Sequence, residues 1–89
     1  MIQGRNAGSV GDHPLLRLQP GEYAKHEGVW YFCPPWPNGG GCLAKHTVVE
    51  HEDGTITVSP SILLKAWSEE KNVMEEWHGF LERGVWRVV

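Results

Sequence analysis

The stretch WHGFLERGVWRVV, residues 77–89, decides the fold, and two readings compete for it. In the first, Trp67, Val73, Met74, Trp77, Phe80 and Leu81 recur at spacings near about 3.6 and line one face of an amphipathic helix. In the second, WHGFL and VWRVV are strands joined by Glu82-Arg83-Gly84, a three-residue loop with Gly where a left-handed residue is wanted. Gly79 sits in the middle of the stretch, where it costs a helix about 1 kcal/mol relative to Ala. The hairpin is the better reading. It leaves a loop or one helical turn across 66–75, so a short helix within 66–76 is the one helical element this reading allows.

Working back along the chain, AKHTVVEHEDGTITVSPS reads as another hairpin. HTVVEH and TITVS flank Glu52-Asp53-Gly54, again a three-residue loop ending in Gly. Pro60 ends the second strand. GVWYFC, residues 28–33, is a β-branched and aromatic run bounded by Gly and Pro, a strand signal. Alternation sends Val29, Tyr31 and Cys33 one way and Trp30 and Phe32 the other. Leu15, Leu16 and Leu18 suit a short strand ended by the Pro20-Gly21 turn signal. Residues 1–13 are polar and Gly-rich and read as a loose N-terminal tail. The expectation is one mainly β domain over 14–89, built from antiparallel hairpins with a Pro/Gly-rich loop. Its core candidates are Trp30, Phe32, Val48, Ile56, Val58, Ile62, Leu64, Trp77, Phe80, Val85 and Trp86.

Composition agrees. The chain has 89 residues, a length that buries only about 60–65% of the surface its unfolded form exposes. A metal, a disulfide or a partner chain would help so small a core. Eleven Gly and six Pro favour short strands and many turns. The net charge of −3 and the scattered Lys and Arg argue against direct nucleic-acid binding. No apolar run approaches the roughly 20 residues of a membrane span. MIQGRNAGSVGDHP lacks the apolar centre of a secretory signal, so the expected compartment is the cytoplasm of a bacterium or of an infected host cell.

Both cysteines lie in CPPWPNGGGC, residues 33–42. In a reducing compartment two cysteines are more often free thiols or metal ligands than a lasting disulfide. Cys33 alternates with aromatic residues and also suits a buried apolar thiol. Trp36 stands among Pro34, Pro35 and Pro37, with Asn38 next. An exposed Trp on a Pro-stiffened loop loses little entropy on binding and makes a good anchor; the alternative is that it folds back and caps the core. Glu69, Glu70, Glu75 and Glu76 form an acidic group, either a solvated face or a contact surface for a basic target.

At DGTITVSPSIL (53–63) and WHGFLERGVWR (77–87) the chain resembles a family of small, mostly phage- and prophage-encoded proteins. Members carry a pattern like W-x-x-x-C-P…C-x-x-x-H, a SPSI/L strand, and then CHxF…DG or WHGF/Y…G. Some bear the label ammonia monooxygenase, which no residue here supports. The resemblance covers about 28–87 and implies a compact antiparallel β domain, often with a zinc site, and no established activity. Carried over by position, Cys33 matches the first cysteine, Cys42 the second with His46 four residues on, and His78 the histidine before the GF strand. Zinc binds such thiolate and imidazole sets tetrahedrally. Here eight residues separate the cysteines, more than in the family, and Trp77 stands where many members have Cys. A metal-bound and a metal-free loop therefore both stand.

No H-E-x-x-H, G-x-S-x-G or phosphate loop is present. The functional expectation is a non-enzymatic, phage-type accessory protein that binds a host or bacterial protein, with a defence system as one target. Trp36, Asn38, Glu69, Glu70, Glu75 and Glu76 are its contact candidates, and Cys33, Cys42, His46 and His78 are the candidate ligands of a structural zinc. The rivals are a minimal zinc-dependent hydrolase, with Glu50 or Glu76 as general base, and a structural module that oligomerises, a homodimer being the simplest form.

Overall fold

The computed structural model describes residues 2–8, 18–36 and 39–89. Ten strands run in order: β1 (Ile2–Gln3), β2 (Arg5–Asn6), β3 (Glu22–His26), β4 (Val29–Phe32), β5 (Gly41–Cys42), β6 (Thr47–Glu50), β7 (Ile56–Ser59), β8 (Ile62–Ser68), β9 (Val73–Glu82) and β10 (Val85–Val88). They form a sheet of order β1-β10-β9-β8, a second of order β2-β3-β4-β5, and the two-stranded ribbon β6-β7. Among the described residues there is no helix, and so none long and apolar enough to cross a membrane.

The hairpin reading of 77–89 holds. Trp77, Gly79 and Leu81 point inward along β9, while His78 and Glu82 point out. The helical alternative for 66–76 is corrected: these residues are the ends of β8 and β9 and the turn between them. Seven cross-strand pairs, from Ile62↔Gly79 to Ser68↔Val73, give this backbone the hydrogen bonds a helix would have supplied internally. Asn72 takes a left-handed φ of 55° at the end of the turn, a conformation Asn tolerates.

The two Gly-ended loops differ, contrary to their similar layout in sequence. Glu52-Asp53-Gly54 is the expected three-residue loop. The Gly54 N–H donates to the His51 carbonyl at 3.1 Å, the His51 N–H donates to the Thr55 carbonyl at 2.9 Å, and Gly54 has φ 86°. The β9–β10 turn is tighter, because Glu82 pairs directly with Val85. Only Arg83 and Gly84 remain, at φ 46° and 76°, the twin positive values of a type I′ turn. Left-handed Arg83 is compensated by its N–H, which donates to Thr57 Oγ1 at 3.0 Å and ties the turn to β7.

Residues 2–6 are not loose. β1 pairs with β10 and β2 runs parallel to β3, so the N-terminal chain steps from one sheet to the other. The Gly4 N–H donates to the Gly84 carbonyl at 2.6 Å at the crossing. Arg5 forms an ion pair with Glu22, a carboxylate only 6% exposed. The stitch is made by backbone and ions, with both strands exposed, which is why no hydrophobic pattern announced it. The expected strand around Leu15 and Leu16 lies outside the described residues; Leu18 precedes β3 without joining a strand.

The core lies between the inner faces of the sheets and the ribbon. Trp86, Trp77, Leu81 and Ile62 come from the first sheet, Tyr23, Trp30 and Phe32 from the second, and Ile56 and Val58 from β7, with Leu43 beside them. Trp77 meets Trp86 edge to face at 5.5 Å, and Phe32 lies 6.2 Å from Trp86. Val48 and Leu64 pack on this cluster half-buried. Phe80 and Val85 do not belong to it. Phe80 is outward, under the Arg87 guanidinium at 4.7 Å, because its inward neighbours Gly79 and Leu81 hold the other face.

Candidate functional site

The four expected metal ligands are not gathered. Cys33 is buried at the end of β4, and burial pushes its thiol pKa up. Cys42 is exposed on β5, opposite Tyr31. His46 directs Nε2 at the Ser61 carbonyl at 3.4 Å, and its buried Nδ1 has no hydrogen-bond partner. His78 is exposed on β9, with Nε2 2.9 Å from Ser61 Oγ. The two histidines thus meet at Ser61, without the thiols. Among the described residues no three His, Cys, Asp or Glu side chains come together, and as arranged these four do not fit a tetrahedral zinc set. A thiol reagent is expected to modify Cys42 alone in the folded chain and Cys33 only in denaturant. Rapid labelling of both in the native protein would place Cys33 outside the core.

The loop between the cysteines is a strand connection. Phe32 pairs with Gly41 and Tyr31 with Cys42, so the chain returns flush against β4. Trp36 is half-buried and packs on the core cluster, which makes it chiefly a cap. Asn38 lies outside the described residues.

What the sequence reading missed is the arm made by β8 and β9. On its inner face Ile62 and Trp77 are buried, Leu64, Ala66 and Glu75 are half-buried, and Val73 at the end is exposed. Burial fades towards the turn, so the arm projects beyond the core, in a molecule 42 Å in its longest extent. Its outer face carries Trp67, 55% exposed, directly across from Met74, 59% exposed, with Lys65 across from Glu76 and Leu63 across from His78. Helical spacing is the weaker reading for Trp67; the signal that finds it is the alternation of Leu63, Lys65 and Trp67 against Ile62, Leu64 and Ala66. Glu69 and Glu70 occupy the turn. Lys71 pairs with Glu75 at 3.4 Å. Of the expected acidic contacts, Glu69, Glu70 and Glu76 flank the exposed Trp67–Met74 pair, and Glu75 is on the opposite face.

Two exposed carboxylates elsewhere carry lowered pKa values. Glu50 accepts from Lys25 Nζ at 3.0 Å and Trp30 Nε1 at 3.4 Å, and these bonds, that of Lys25 foremost, hold its pKa below the usual carboxylate range. Asp53 is lowered by the Thr55 hydroxyl at 2.6 Å and the Thr55 N–H at 3.0 Å. A carboxyl with a depressed folded pKa contributes stability above its unfolded pKa, and that contribution is lost as pH falls through the folded value. Urea midpoints are therefore expected to fall on acidification below the usual carboxylate range. Glu50→Gln with Asp53→Asn should flatten that fall, and an unchanged slope would discount both bonds.

No protein-family model matches the chain, and neither a curated protein nor a solved structure matches it.

Proposed function

We propose that the chain is a non-enzymatic accessory protein that works by binding another protein through the outer face of the β8–β9 arm. The observation that carries this is the exposed Trp67–Met74 pair on a strand-held surface. A folded domain gains nothing in its own core from holding an indole and a thioether in water. A partner that covers them gains both areas, and Trp is among the residues that most often dominate interface energies. Both lie on paired strands, so the surface is pre-ordered and loses little entropy on docking. The likeness of 53–63 and 77–87 to small phage-encoded proteins supports a bacterial host protein, a defence component among them, as the target.

The test compares wild type with Trp67→Ala and Met74→Ala in affinity capture from a bacterial lysate. Each variant is expected to keep its stability within about 0.5 kcal/mol, as surface changes do. Trp67→Ala should weaken partner retention by tenfold or more, as loss of an anchor worth about 2 kcal/mol would. Retention unchanged in both variants would remove the arm from the interface.

A further inference from the structure

We infer that the arm's outer face takes an arginine-bearing segment of its partner, the guanidinium stacking on Trp67 between the carboxylates of Glu76 and the turn. This rests on the arm being the binding surface and adds the chemistry of what it binds.

The same sheet face shows the arrangement in finished form at its other end. There the Arg87 guanidinium lies 4.7 Å over the Phe80 ring and 2.5 Å from Glu82 Oε1. Phe80 and Glu82 are two apart on β9, so both point outward, and Arg87 is directly across from Phe80. An aromatic face, a carboxylate and a guanidinium complete one another. Near the tip, Met74 and Glu76 are likewise two apart on β9, and Trp67 is directly across from Met74. Here the aromatic sits across the ladder and diagonal to the Glu76 carboxylate, with Lys65 across from Glu76, and no guanidinium of this chain stacks on Trp67 among the described residues.

Charge points the same way. Residues 62–78 hold two Lys against four Glu. Lys71 is engaged by Glu75 and Lys65 stands across from Glu76, while Glu69 and Glu70 have no ion pair among the described residues and leave the excess negative. The surface beside the indole is therefore net acidic and favours a cation. Arg suits it better than Lys, because a planar guanidinium stacks on an indole while its edge still meets a carboxylate, and it is more weakly hydrated.

The experiment uses fluorescence anisotropy with short labelled peptides of equal length and leucine content that carry Arg, Lys, Gln or Glu at the same positions. The Arg peptide should bind several-fold tighter than the Lys peptide and about tenfold or more tighter than the Gln and Glu peptides. Trp67→Ala and Glu76→Gln should each weaken the Arg peptide, Trp67→Ala the more. Gln and Arg peptides binding alike, both lost in Trp67→Ala, would leave the arm as the binding surface and overturn the arginine assignment. Arg-peptide binding insensitive to Trp67→Ala, or no binding by any peptide, would overturn it too. So would a dimer in sedimentation that dissociates in Trp67→Ala, since a second copy would then cover the indole.

Discussion

Trp86→Ala is expected to remove a large share of the stability of the fold, about 3–5 kcal/mol. The indole is 1% exposed and touches two other aromatic residues of the core, Trp77 edge to face and Phe32 at a tilt. Its Nε1–H donates to the Gly21 carbonyl at 2.9 Å, joining β10 to the start of β3. Truncating a buried Trp costs about 3–5 kcal/mol. An 89-residue domain has only about 4–13 kcal/mol in total at typical values per residue. Trp86→Phe should recover a good part of the loss. Most of the ring contact returns, and the Gly21 carbonyl keeps the Arg5 N–H at 3.0 Å as a partner. Urea denaturation followed by near-ultraviolet circular dichroism reads both. A loss below about 1 kcal/mol in Trp86→Ala, far under the usual cost, would place the core elsewhere.

Gly79→Ala is the second severe change, for a different reason. Gly79 lies in β9 between β8 and β10, opposite Ile62 on one side and Val88 on the other. A Cβ there would stand 2.5 Å from the Arg87 carbonyl oxygen and 2.6 Å from the Trp77 ring. The oxygen belongs to the backbone of the neighbouring strand and the ring is packed on Trp86, so neither gives way easily. Overpacking of this kind typically costs about 1–3 kcal/mol, and more where backbone must move. The expected result is a lowered urea midpoint with Trp77 displaced from Trp86, visible as a changed near-ultraviolet spectrum. A midpoint equal to wild type would show that β10 slides freely past β9. In the sequence this glycine argued only against a helix; its stronger role, room for the Trp77 ring beneath the ladder, appears only once β10 lies beside β9.

The same contrast separates the legible parts of the fold from the hidden ones. The β6–β7 hairpin could be read because its turn and its alternation lie within a few residues of one another. The β9–β10 hairpin could be read too, but not its closing pair, since Glu82-Arg83-Gly84 suits a three-residue loop and a two-residue one. The contact of Arg83 N–H with Thr57, 26 residues away, accompanies the tighter form. In the sequence Trp36 stands on a Pro-rich loop and Trp67 belongs to a helix-spaced apolar set. Which of them meets solvent depends on how far β8 and β9 outrun the core, and no local pattern carries that length.

Taken alone, the sequence determined that the chain is mainly β, that it turns at Gly54 and Gly84, and that Trp30, Phe32, Ile56, Val58, Trp77 and Trp86 are inside. These follow from backbone sterics and side-chain alternation, which act over a few residues. The tertiary structure alone decided that residues 2–6 stitch two sheets, that His46 and His78 meet at Ser61 away from the thiols, and that Trp67 stands in water beside unpaired carboxylates. Each of these depends on groups brought together from distant parts of the chain, as Trp86 and Gly21 are across 65 residues, and that proximity exists only after the sheets have closed on the core.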